Sequence, residues 1–153
     1  QPDQNQKIEK TNYNIDTAHA LGIENPKVAI LAATEQMIAG MQACVDAAII
    51  SKMADRGQIK GAVVDGPLAI DVCLDKESCG IKKFKSPVGG NADCILFQNI
   101  ESANVFFKTN TKLCGAELGA VVFGARVPAI LTSRGDSELT KLYSIALAAM
   151  LAK

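Results

Sequence analysis

Residues 51–75 read SKMADRGQIKGAVVDGPLAIDVCLD, and the punctuation of this stretch sets the fold class. It opens as the end of a helix over 43–56, with Val45, Ala48, Ile49 and Met53 on one side and Ala47, Ile50 and Ala54 on another, so the helix is expected to be covered on more than one face. Gly57 stops that helix, 62–64 is a short apolar strand, and Asp65, Gly66 and Pro67 read as a turn into a further helix from about 68 to 79.

The same alternation extends in both directions. Upstream, residues 7–21 read as a helix ended by Gly22, with Pro26 preventing its continuation, and 28–31 is an apolar run suited to a buried parallel strand. Downstream, 81–93 holds Lys82, Lys83, Lys85, Ser86, Pro87, Gly89 and Gly90 and reads as an exposed connection. Residues 94–97 form another strand and 101–113 another helix, with Asn99 as its cap. Two adjacent apolar runs, 118–123 and 127–131, broken by Gly124 and Pro128, complete the expected strands. Strand alternating with helix predicts a layered α/β fold with a mostly parallel sheet. Ligands of such sheets gather at the carboxyl ends of strands, where Asp65 and Gly66, Asn99 and Glu101, and Ser133 and Arg134 repeatedly fall.

The last of these groups opens residues 131–151, LTSRGDSELTKLYSIALAAML. After a turn through Ser133, Arg134, Gly135 and Asp136, apolar residues at 139, 142, 143, 146, 147 and 150 keep helical spacing. The first N–H groups of a helix lack internal partners and carry the positive end of its dipole, so an anion is welcome there. Arg134 is out of place on helix electrostatics alone, which an anionic ligand would offset. The plainer reading has Ser133 or Asp136 simply capping the helix.

Composition narrows the functional classes. A chain of 153 residues, 48% hydrophobic and 21% charged, is long enough for one globular domain with a real core. Lys plus Arg and Asp plus Glu number 16 each, and aromatic residues are only 5%, which leaves neither a basic footprint nor a stacking surface for nucleic acid. No apolar run approaches the roughly 18 to 20 residues that span a bilayer, and the opening QPDQNQKIEK lacks a signal-peptide core, so a soluble protein without a membrane partner is expected. Cysteines at 44, 73, 79, 94 and 114 have no CxxC spacing and read as reduced, buried residues of a cytoplasmic protein. His19 is the only histidine, so neither a zinc site nor a Cys/His dyad is expected, and His19 reads as structural or solvent-exposed.

Several stretches together resemble the phosphate acetyl/butyryl transferase family, the butyryl branch in particular: HALGIENPKVAILAATE (19–35), residues 51–75, KSPVGGNADCIL (85–96), NIESANVFFK (99–108) and GARVPAILTSRGDSELTKLYSIALA (124–148). VDGPLA, SPVGGNAD and LTSRGDS stand in the family's order at its approximate spacing. The resemblance implies a three-layer α/β/α architecture, the second of two lobes related to the isocitrate and isopropylmalate dehydrogenase fold, with the first lobe outside this chain. It assigns residues 1–131 to that lobe, and 132–153 to an active-site turn and a helix that packs toward the first lobe.

Members of the family exchange acyl-CoA and inorganic phosphate for acyl phosphate and CoA, so coenzyme A is a substrate and no cofactor or metal is implied. The resemblance places Ser133 and Arg134 in the acyl-transfer site. Arg134 would stabilise the carbonyl oxygen or the phosphate, and Ser133 would orient a thiol or phosphoryl oxygen. A carboxylate must take the thiol proton. The acetyl branch has its acid seven residues after the serine, where this chain has Thr140, so Asp136 and Glu138 remain, and Asp136 shares the turn. Asp65, Gly66, Asn99, Glu101 and Asn104 are the expected substrate-binding residues, and a homodimer is implied. The alternatives are a non-catalytic dimerisation or ligand-binding lobe and a dehydrogenase of the related fold.

Overall fold

The computed structural model describes residues 2–152. The chain divides into two compact units, Gln1–Ser102 and Ala103–Lys153.

In the first unit, α1 (Gln4–Ala20) precedes β1 (Lys27–Leu31), α2 (Gln42–Asp55), β2 (Val63–Leu68), two short helices α3 (Ile70–Leu74) and α4 (Lys76–Ile81), and β3 (Cys94–Leu96). The strands form a parallel sheet in the order β2-β1-β3. Side chains alternate across it as the pleat requires. Val28, Ile30, Val64 and Leu96 pack on Ile15 of α1 and on Ala47 and Ile50 of α2, while Ala29 and Leu68 pack with Cys73 and Val88 on the opposite side. Helices therefore cover one face, and α3 with the segment after α4 covers the other, which gives three layers.

Four local expectations are corrected here. Asp65, Gly66 and Pro67 are not a turn beyond the strand: β2 runs through them to Leu68, with a register shift between the pairs Ala29↔Asp65 and Leu31↔Leu68. A bulge accommodates the proline, which has no N–H for the ladder. The helix expected over 68–79 is split, because Asp75 takes an extended conformation and its carboxylate caps α4, accepting from the N–H groups of Glu77 (3.1 Å) and Ser78 (2.9 Å). The 81–93 connection is only partly exposed, since Val88 is fully buried. Finally, α1 begins at Gln4, three residues before the apolar pattern, because Asp3 and Gln6 form a capping box.

The second unit contains most of α5 (Ile100–Leu113) and all of α6 (Glu138–Leu151). Residues 118–123 and 127–131 are not the two strands expected. They meet through a single antiparallel bridge, Val122↔Ala129, around a turn in which Gly124 has φ 101°. The Ala120 N–H is spent on the Ser144 hydroxyl (3.0 Å) instead of on a ladder, and a Cβ on Gly119 would stand 3.0 Å from the Tyr143 carbonyl. This backbone thus lies directly against α6. Its close approach explains why the buried stripe of α6 is Thr140, Ser144 and Ala148, small residues four apart, rather than the large apolar residues. Leu142 and Ile145 are 59% and 58% exposed. The cap of α6 is Ser137, whose Oγ accepts from the Thr140 N–H at 3.1 Å, and neither Ser133 nor Asp136 plays that part.

Candidate active site

At the carboxyl edge of the sheet, Gln98 follows β3 and donates its amide hydrogens to the Leu31 carbonyl at the end of β1 and to the Ala43 carbonyl in the first turn of α2. Asn99 comes next and caps α5 as its residue type predicts, with Oδ1 accepting from the Ser102 N–H at 2.8 Å. Glu101 lies exposed in the first turn of α5.

Asp65 sits one strand away with both oxygens engaged. Oδ1 accepts from the Gly66 N–H (2.8 Å) and the Ser51 hydroxyl (3.3 Å), and Oδ2 accepts from the Ser86 hydroxyl. Ser86 in turn accepts from the N–H groups of Val88 and Gly89, so Asp65 anchors the loop after α4 to β2 and α2. Gly66 is required by packing: a Cβ there would lie 2.8 Å from Ile30. Lys82 was not anticipated from the sequence. It bridges Asp71 (2.9 Å) and Glu35 (3.0 Å) and ties the loop after β1 to the end of α4. The hydrogen bonds to Asp71 and then Glu35 hold its ammonium above the usual lysine range, and that to Lys82 holds Asp71 below the carboxylate range.

The second unit contains the Ser133, Arg134 and Asp136 turn. Asp136 Oδ2 accepts from the Ser133 N–H at 2.7 Å, and the Asp136 N–H returns a bond to the Ser133 carbonyl at 3.1 Å. This reciprocal pair closes the loop and leaves the Arg134 side chain exposed. Among the described residues, no hydrogen-bond partner stands against the Ser133 hydroxyl or the Arg134 guanidinium. Lys108 of α5 brings its Nζ to 3.9 Å from Asp136 Oδ1 and lies 4.4 Å above the centre of its neighbour's ring, that of Phe107. Reading the sequence missed Lys108, because its approach to 136 depends on the packing of α5 beside the turn. Asn104 is exposed on the same helix. The candidates thus form two sets, one at the sheet edge and one at the turn.

Remaining residues play structural parts. His19 Nε2 is bonded to the Gly61 carbonyl at 2.8 Å, as expected of a structural histidine. The five cysteines are free thiols, but they are not uniformly buried: Cys44 and Cys73 are, while Cys114 is exposed at the end of α5.

The first unit holds a parallel sheet, and the second carries a turn with a hydroxyl, a guanidinium and a carboxylate. The chain belongs to the phosphate acetyl/butyryl transferase family, whose sequence model, described as "Phosphate acetyl/butaryl transferase", matches residues 1–149. It is 48% identical over 151 residues to the phosphate butyryltransferase of Clostridium acetobutylicum, covering 99% of this chain and 50% of that protein. The phosphate acetyltransferase of Thermotoga maritima is 43% identical over 151 residues, covering 99% of this chain and 51% of the relative. The crystal structure of a branched-chain phosphotransacylase from Enterococcus faecalis superposes with a TM-score of 0.88 at 31% identity, over 98% of this chain and 54% of that one. The chain spans about half the length of the curated relatives it matches. No helix among the described residues is long and apolar enough to cross a membrane.

Proposed function

We propose that the chain supplies one lobe of a phosphate acyltransferase that interconverts acyl-CoA plus inorganic phosphate with acyl phosphate plus CoA, for butyryl or another short acyl group. The observation that carries this reading is the family match over residues 1–149, with the Ser133, Arg134 and Asp136 turn inside it.

Transfer is direct, within a ternary complex. In the direction that consumes acyl phosphate, the CoA sulfur attacks the acyl carbonyl, its proton passes to a carboxylate, the C–O bond to phosphate breaks, and acyl-CoA and inorganic phosphate are formed. Arg134 stabilises the negative charge on the carbonyl or phosphoryl oxygens, and Ser133 orients the nucleophile through its hydroxyl. Asp136 is the base. Its Oδ2 is held by the Ser133 N–H, while its Oδ1 accepts no hydrogen bond among the described residues and is available for the thiol proton. Glu101 and Asn104, both exposed, serve substrate binding; Asp65 and Gly66 act by holding the sheet edge in shape, and Asn99 by setting the start of α5. Coenzyme A is a substrate, no further cofactor takes part, and the enzyme works in the cytoplasm. The sheet-bearing unit is the counterpart of the second lobe of isocitrate and isopropylmalate dehydrogenases.

The exposed apolar residues of α6, including Leu142 and Ile145, support assembly as a homodimer. Light scattering over a concentration series tests this, with a concentration-independent monomer mass as the opposing result.

The catalytic test measures free thiol released from butyryl-CoA, with and without phosphate, by this chain and by the longest reading frame containing it. Phosphate-dependent release by the longer product is expected, and its absence would remove the acyltransferase reading. The share of each relative covered, about half, favours a second reading for the 153 residues by themselves: a lobe that binds substrate without turning it over.

A further inference from the structure

The ammonium group of Lys108 is fixed in place without being saturated. Its nearest charge, Asp136 Oδ1, is 3.9 Å away, beyond hydrogen-bond distance, and among the described residues no acceptor takes any of its three donors. The Phe107 ring beneath it, 4.4 Å from Nζ to centroid, restrains its position through attraction of a cation to the ring face. The side chain is 39% exposed, so water or a solute can reach it.

Two further donor groups that have no hydrogen-bond partner among the described residues, the Ser133 hydroxyl and the Arg134 guanidinium, belong to the turn that Asp136 closes. Asp136 stands beside Lys108 and closes the turn that carries Arg134, and its carboxylate is already partly satisfied by a backbone N–H. A positive excess with several empty donors is suited to an oxyanion with several oxygens, such as a phosphoryl group.

From this geometry we infer that Lys108 is a second phosphoryl-binding residue of the Ser133–Arg134 site, donating from Nζ to an oxygen of the anion while Asp136 holds it in register. The inference rests on the acyltransferase reading of that turn and adds a residue from a different element. The anion is either inorganic phosphate or a phosphate of the CoA nucleotide, which share this chemistry.

The experiment titrates the full chain with inorganic phosphate and, separately, with 3′,5′-adenosine diphosphate at fixed ionic strength. Amide NMR shifts give the affinity and show where the probe binds, and thermal melting checks that each variant is folded. Loss of one charge-assisted hydrogen bond in Lys108→Gln should weaken one of the two probes by about tenfold or more, with shifts at residues 133–136, and Lys108→Arg should retain most of the affinity. The probe that weakens identifies which phosphate is bound. If Lys108→Gln binds both probes as the parent does while Arg134→Gln weakens one, the Lys108 assignment is overturned and the acyltransferase reading stands. If the parent chain binds neither probe, and Arg134→Gln changes nothing, the turn is not an anion site and both fail.

Discussion

Lys7 Nζ and Asp46 Oδ2 meet at 2.6 Å with both side chains almost wholly out of water, and so join α1 to α2 on one face of the sheet. Gln42 of α2 donates to the other Asp46 oxygen at 2.7 Å. Withdrawing two charges from water costs several kcal/mol, which their attraction offsets only while both are present. Lys7→Met alone should therefore destabilise the first unit by about 3 to 5 kcal/mol, whereas Lys7→Met with Asp46→Leu should recover most of that loss. Urea unfolding of the three proteins checks this, and equal losses in the single and double variants would contradict it.

Gly66 lies where β2 approaches β1 most closely. A methyl group there would stand 2.8 Å from both the Cβ and the carbonyl oxygen of Ile30, and 3.2 Å from Ala47 of α2. Neither a backbone carbonyl in a central strand nor a fully buried helix residue can give way cheaply, so Gly66→Ala should cost about 1 to 3 kcal/mol through overpacking. A melting temperature unchanged from the parent would refute the close approach.

The Ser78 hydroxyl, followed by the Ser78 and Glu77 backbone N–H groups, holds Asp75 below the usual carboxylate range. A carboxyl whose pKa is lower folded than unfolded stabilises the fold while ionised. Its contribution is complete above the unfolded value of about 3.9 and is lost as pH falls through the lower folded value. Asp75→Asn should flatten the acid side of the stability profile in that window and change little of its slope near neutrality. Unfolding curves collected across the acid range decide the matter.

Burial, reinforced by Asp71, pushes the Cys73 thiol up to about 12. Against an ordinary thiol near 8.5, its thiolate fraction at neutral pH is about 10³-fold smaller, and the folded chain also blocks access. Differential alkylation followed by mass spectrometry should label exposed Cys114 first and Cys73 and Cys44 only on unfolding. Early labelling of Cys73 would show that the core around α3 opens readily.

The first unit was legible because its apolar runs are short and bounded. Residues 28–31 and 94–97 announced β1 and β3, and Gly22 and Gly57 marked helix ends within one or two residues. The reading failed where one side chain overrides local pattern, as at Asp75, which breaks a helix by capping the next. It failed again at 118–131, where apolar content signals a strand but the contact with Ser144 directs the backbone against α6. The same close backbone approach favours Thr140, Ser144 and Ala148 on the buried face of α6 over the larger residues that carry the periodic signal. Of the turn, the residue types were visible in sequence. The reciprocal Ser133–Asp136 bonds and the approach of Lys108 required coordinates.

The most direct test of the central claim compares phosphate-dependent thiol release from butyryl-CoA by the longest reading frame containing this chain with that of its Arg134→Ala variant. Removal of a donor that stabilises developing negative charge should lower turnover by about 10²-fold or more while the melting temperature stays at the parent value. Turnover within a few-fold of the parent would contradict the account and take Arg134, and the turn that presents it, out of the reaction.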